Sequence, residues 1–91
     1  LDFLTSAKKL AYSGVIPGGT KRNLDYLKKF VKFDDSLQEV DKLLAADAQT
    51  SGGLLITLPH DQAIEYVSQL TQYSKIIGKI LPKQNKMISV K

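Results

Sequence analysis

The stretch Gly14-Val15-Ile16-Pro17-Gly18-Gly19-Thr20-Lys21 has part of the spacing of a phosphate-binding loop. In such a loop the glycines let backbone amides cradle phosphate oxygens, while a lysine and then a hydroxyl reach the phosphate and its metal. Gly14 and Gly19 fit the two glycine positions. Thr20 and Lys21 come in the reverse order, and the residues before Gly14 read as helix rather than strand. The order would send both side chains to the wrong positions, so this is not a P-loop. A second candidate is Thr50-Ser51-Gly52-Gly53, where consecutive amides beside two hydroxyls could form an anion-binding nest. The competing reading is a tight turn that uses glycine only for its backbone. No helix follows this loop to add its dipole.

Other chemistry is sparse. His60 is the single histidine and follows Pro59 at a helix start, where a metal site would want a second histidine or a carboxylate cluster. Asp34-Asp35 reads as a turn and cap, and Asp47 stands alone before a polar loop. The absence of cysteine excludes disulfides, thiolate metal sites and a cysteine nucleophile in this segment. No paired carboxylates or triad can be assembled, so no catalytic residue and no metal ligand is assigned.

The elements that must carry these loops follow from apolar spacing. Phe3, Leu4, Ala7, Leu10 and Ala11 make one helical stripe, with Asp2 as cap and Gly14 as stop. Thr20 caps a second short helix with Leu24, Leu27 and Val31 on its inner face. Phe30–Phe33 fits a short strand or the end of that helix. Ser36 and Glu39 have capping-box spacing ahead of a helix bearing Leu37, Val40, Leu43 and Leu44. Leu54–Leu58 reads as a strand covered on both faces. Residues 60–73 read as an amphipathic helix through Ala63, Tyr66, Val67 and Leu70. Ile76–Leu81 reads as a strand weakened by Gly78, and 87–90 as an edge strand. A strand-helix-strand order favours a right-handed crossover, and the turn at 82–86 favours an antiparallel hairpin. The fold class is α/β (α+β): a small mixed sheet with helices packed on it.

Composition sets the bounds. Of the 91 residues, 28 are Leu, Ile, Val or Phe, enough for a modest core. The longest run of large apolar residues is Leu54-Leu55-Ile56, too short to cross a membrane. The net charge is +4. Lys75, Lys79, Lys83, Lys86 and Lys91 fall at the end with no acid between them. They are spaced apart without arginine or aromatics, which reads as edge protection rather than nucleic-acid binding. The chain starts at Leu1, not methionine, and is expected to be cut from a longer protein.

Two stretches carry more information than their chemistry: Gly14-Val15-Ile16-Pro17-Gly18-Gly19-Thr20-Lys21-Arg22-Asn23, and Ala45-Ala46-Asp47-Ala48-Gln49-Thr50-Ser51-Gly52-Gly53-Leu54-Leu55-Ile56. In this order and separation they resemble the C-terminal part of the selenophosphate synthetase (selenide, water dikinase) family. Ile77-Gly78-Lys79-Ile80 is similar to a strand near that family's end. Ala48 departs from the family's usual proline.

The resemblance implies that residues 1–91 are one partial C-terminal domain of the aminoimidazole ribonucleotide synthetase-like fold, truncated at its N-terminal side. It implies a cytoplasmic parent enzyme that converts selenide, ATP and water to selenophosphate, AMP and phosphate with magnesium. Its partners would be the missing N-terminal catalytic domain and further copies of itself, with no nucleic acid and no membrane. The family's catalytic cysteine or selenocysteine, its lysine partner and its Asp-x-Thr-Gly-Phe-Gly motif have no counterpart here. No catalytic residue transfers, and neither ATP nor magnesium is expected to bind this fragment tightly. Gly18, Gly19, Thr20, Gln49, Thr50, Ser51, Gly52 and Gly53 are the candidate cleft-facing loop residues. The alternatives are a stand-alone binding or regulatory module of the same fold, or part of another superfamily synthetase or kinase. The Gln-Thr-Ser-Gly-Gly loop argues against the last.

Overall fold

A computed structural model describes residues 3–91. Four helices and two short strands follow in the order α1 (Ala7–Tyr12), α2 (Gly18–Leu27), β1 (Val31–Phe33), α3 (Glu39–Ala45), α4 (His60–Gln69) and β2 (Ile88–Val90). The described residues up to Thr50 and those of Lys83–Lys91 form one compact unit, and Ser51–Pro82 form another.

The first unit is a layer of three helices with a two-stranded sheet. Helix α1 is shorter than its apolar stripe predicts. It starts after Ser6, and of that stripe only Ala11 is buried, while Leu4 and Leu10 face solvent. Asp2, the expected cap, lies outside the described residues. The expected stop is present. Gly14 adopts φ +83, its amide donates to the Ala11 carbonyl, and the Val15 amide donates to the Leu10 carbonyl. This is a Schellman ending, in which a left-handed residue turns the last amides back onto orphan carbonyls.

Helix α2 begins two residues before the expected cap. Pro17, at φ −59 and ψ 144, leads in, and Thr20 lies inside the first turn with no capping role. A proline fixes the entry dihedral without needing a side-chain acceptor. Leu24 is the buried residue of the inner face, with Leu27 half-buried.

The expected capping box is displaced by two residues. Asp34 Oδ1 accepts both the Ser36 amide at 3.0 Å and the Ser36 hydroxyl at 2.6 Å, which holds Ser36 in a turn ahead of the helix. These bonds also hold the Asp34 carboxyl below the ordinary aspartate range. Helix α3 starts after Gln38, whose amide donates to Asp41 Oδ2 at 3.1 Å. Glu39 becomes the first helical residue instead of the reach-back partner.

Asp41 also joins two helices. Lys8 Nζ of α1 sits 2.7 Å from Asp41 Oδ1, and Tyr12 hydroxyl donates to Gln38 Oε1 at the start of α3. The Lys8 hydrogen bond holds the buried Asp41 carboxyl below its ordinary value, and the same bond raises Lys8. Among the described residues the buried apolar ones are Ala11, Leu24, Val31 and Ala46, a small core of mostly small side chains.

The sheet differs from the expected one. β1 and β2 pair in parallel, with Val31 opposite Ile88, Lys32 opposite Ser89 and Phe33 opposite Val90. Residues 30–33 therefore resolve to a strand. The segment after the 82–86 turn pairs with it and not with Ile76–Leu81 in a hairpin. Lys86 Nζ reinforces this end by donating at 2.9 Å to both the Lys28 and Lys29 carbonyls. A cation there meets carbonyls that the helix end leaves unpaired. Of the lysines read as surface decoration, this one ties β2 to the end of α2.

In the second unit α4 follows Pro59 and ends at Gln69, four residues short of the expected end, where Leu70 turns extended at φ −80 and ψ 134. Ala63 and Val67 are half-buried, whereas Tyr66 and Leu70 are exposed. Neither Leu54–Leu58 nor Ile76–Leu81 lies in a ladder, and most of their apolar side chains face solvent. An apolar run becomes a strand only when a neighbour completes its hydrogen bonds.

Candidate functional site

The two distinctive stretches meet within the first unit. From Gly14 the chain turns tightly, with the Ile16 amide donating to the Gly14 carbonyl at 2.9 Å. Pro17 then sets Gly18 and Gly19 as the first residues of α2. A Cβ at Gly18 or Gly19 would lie 3.8 or 3.9 Å from the Arg22 guanidinium, which covers this first turn. Larger side chains here would displace the arginine.

In the same turn, Thr20 is 3% exposed, and its Oγ1 donates to Asp47 Oδ1 at 2.5 Å. Asn23 Nδ2 donates to the Ala46 carbonyl at 3.2 Å. Ala46 and Asp47 follow directly on α3, whose end is closed by the Ala46 amide on the Lys42 carbonyl. The end of the first stretch is thus stapled to the start of the second. A small pocket lies against this staple, with apolar walls from Val15, Ile16, Pro17, Leu43 and Leu44. Thr20 and Asp47 supply its polar side.

Among the expected cleft residues, Gly18, Gly19 and Thr20 share the first turn of α2. Gln49 and Thr50 are exposed and continue from Asp47. Ser51, Gly52 and Gly53 belong to the second unit. The left-handed backbone position of this loop is Ser51, at φ 56, and not either glycine. Asn23 is a residue that the sequence reading passed over, and Asp47, read there as standing alone, is bonded to Thr20. Both stand within the two distinctive stretches, and a buried hydroxyl in a first helical turn is the signal that asks for such a partner.

The phosphate-loop spacing leads nowhere in space. The residues before Gly14 are helical, Lys21 is exposed and Thr20 is bonded to Asp47. Among the described residues, no three His, Asp or Glu side chains lie close enough to hold a metal ion. Asp34 serves its turn, as expected. What this arrangement can do is hold two loops in register.

Relatives place the two stretches. The chain is 40% identical to the selenide, water dikinase of Aliarcobacter butzleri, over 99% of its own length and 27% of that protein's. It is 46% identical to the enzyme of that name from Clostridium botulinum strain Alaska E43, over 100% of itself and 27% of the relative. It is 37% identical to that of Campylobacter jejuni strain RM1221, over 97% of itself and 26% of the relative. The chain belongs to the selenide, water dikinase family. It spans about a quarter of the length of the curated dikinases it matches. No family model matches the chain. No solved structure matches it either. The Thr20–Asp47 staple is therefore a feature of a segment of this family. Among the described residues no helix is long and apolar enough to cross a membrane.

Proposed function

We propose that the chain is the C-terminal part of a selenide, water dikinase, folded as a partial C-terminal domain of the aminoimidazole ribonucleotide synthetase-like kind. The whole protein would convert selenide, ATP and water to selenophosphate, AMP and phosphate in the cytoplasm. The observation that carries this reading is end-to-end similarity: 99–100% of the chain aligns with dikinases, through both glycine-rich stretches.

ATP and magnesium belong to the parent in this reading. Among the described residues no magnesium donor set forms, since the carboxylates are dispersed and Asp34, Asp41 and Asp47 are taken up by Ser36, Lys8 and Thr20 respectively. The contribution of this segment is positional. It carries the loops Gly18–Thr20 and Gln49–Gly53 toward the cleft, and the N-terminal catalytic domain of the parent, itself an oligomer, supplies the reacting groups.

The test is an assay of AMP release from ATP, magnesium and selenide. The full parent reading frame should release AMP only when selenide is present, and the 91-residue chain alone should not exceed a buffer control. A parent frame without selenide-dependent AMP release, or release by the isolated chain, overturns the reading.

A further inference from the structure

Two hydrogen bonds leave the same face of α2. Thr20 and Asn23 stand three positions apart in this helix, the spacing that makes side chains neighbours. Thr20 and Leu24 are buried and Asn23 is half-buried, so the core holds the helix beneath both donors. The two donors reach consecutive residues. Asn23 Nδ2 donates to the Ala46 backbone carbonyl at 3.2 Å, and Thr20 Oγ1 donates to the Asp47 carboxylate at 2.5 Å.

Ala46 caps the end of α3, where no further helical turn supplies an amide to its carbonyl. Asn23 supplies that donor. A single bond to the chain leaving α3 would let it pivot. Two bonds, one to main chain and one to a side chain, set its direction as well as its place. The Asp47 amide adds a further hold, donating to the Leu44 carbonyl at 3.3 Å. Beyond Asp47 the first unit continues through Ala48, Gln49 and Thr50, all exposed. Gln49 and Thr50 present an amide and a hydroxyl, uncharged groups that both donate and accept. The direction imposed at Ala46 and Asp47 is handed on to them.

Resting on the dikinase reading, we propose that Thr20 and Asn23 are positioning residues for the reaction of the whole protein, and that they act by aiming Gln49 and Thr50 at ATP. Chemistry selects ATP over selenide. ATP offers base, ribose and phosphate atoms to neutral hydrogen-bonding groups, whereas selenide is a soft anion for which an amide and a hydroxyl are poor partners. Misplacing a substrate-holding group by about 1 Å from a distance can cost about a hundredfold in rate. A loosened clamp is therefore felt in the use of ATP.

Steady-state kinetics of the full-length parent test this, with ATP and selenide varied separately. Asn23→Ala and Thr20→Val should each lower kcat/KM for ATP by about tenfold and raise KM for ATP, with KM for selenide unchanged. Thr20→Ser retains the donor and should recover most of the loss. Partial unfolding acts differently, since it lowers kcat and leaves both KM values alone. NMR relaxation of the 91-residue chain gives a readout that needs no activity. The amide order parameters of Gln49 and Thr50 should fall in Asn23→Ala while those of α2 hold. An unchanged KM for ATP in both variants, an equal rise in KM for selenide, Thr20→Ser as impaired as Thr20→Val, or order parameters that do not fall would each overturn the assignment. A parent without selenide-dependent AMP release overturns the dikinase reading instead, and the relaxation measurement still decides whether the clamp holds the loop.

Discussion

Thr20 Oγ1 donates to Asp47 Oδ1 across 27 positions of sequence, and this bond joins the two most distinctive stretches of the chain. Thr20 is buried while Asp47 is half-exposed. Thr20→Val keeps the shape and removes the donor. It should destabilise the first unit by about 1–2 kcal/mol, the usual cost of losing a hydrogen bond to a charged group that water can partly resolvate. Urea denaturation checks this, and an unchanged midpoint with an unchanged slope would mean that the bond contributes nothing to stability.

Gly14 is the second lever. Its φ of +83 is open to glycine and strained for alanine, although a Cβ there would meet nothing within 4 Å. Gly14→Ala should therefore cost about 1–2 kcal/mol from backbone conformation alone. Thermal melts of the two proteins would measure it, and equal melting temperatures would remove the Schellman ending from the account.

The capping assignment separates two substitutions. Ser36 is exposed and bonded only within its own turn, so Ser36→Ala should shift stability by no more than about 0.5 kcal/mol. Asp41→Ala removes both the Gln38 amide's acceptor and the Lys8 partner, and should be clearly more destabilising. The reverse order in chemical denaturation would restore Ser36 as the cap.

Asp41 also predicts a pH response. Its folded carboxyl is held below its unfolded value by Lys8. Its contribution is therefore present above the unfolded value and is lost as pH falls through the folded one. Lys8, raised by the same bond, contributes below its unfolded value and loses that contribution as pH rises through the folded one. Stability measured against pH should show an acid limb that flattens in Asp41→Asn. An acid limb of unchanged slope in that variant would assign the acid sensitivity elsewhere.

Lys86→Met tests the tie between β2 and the end of α2. It retains the apolar stem and loses the two donated hydrogen bonds, and a loss of about 1 kcal/mol is expected because both bonds are exposed. Faster exchange of the β2 amides would accompany it. Unaltered exchange would reduce Lys86 to a surface charge.

Local signals read well in this sequence. The spacing of Leu24 and Leu27, of Val40, Leu43 and Leu44, and of Ala63 and Val67 each gave a helix, and Gly14 marked a true stop. The misreadings share one cause. Leu54–Leu58 has the composition of a buried strand, but composition cannot supply the neighbour that a ladder needs. The β1–β2 pair joins residues that no turn connects, so the hairpin spacing before Met87 pointed to the wrong partner. Ser36 had ideal box spacing and was captured by Asp34 two residues earlier. At the candidate site, Thr20 was legible as an important hydroxyl and misread in role. Asp47 read as isolated because its partner lies on another helix.

The parallel register of Val31 with Ile88 has a kinetic consequence. The three helices of the first unit form from contacts among neighbouring elements, whereas the ladder closes only after the whole of Ser51–Pro82 has been looped out. Loop-closure entropy delays such contacts, and they form late in folding. Ile88→Ala should then accelerate unfolding and leave the refolding rate nearly untouched, while Leu24→Ala slows refolding. Stopped-flow measurements that found Ile88→Ala slowing refolding as much as Leu24→Ala would place the ladder in the folding nucleus. With a late ladder, the C-terminal strand is the last piece to arrive and the first to leave.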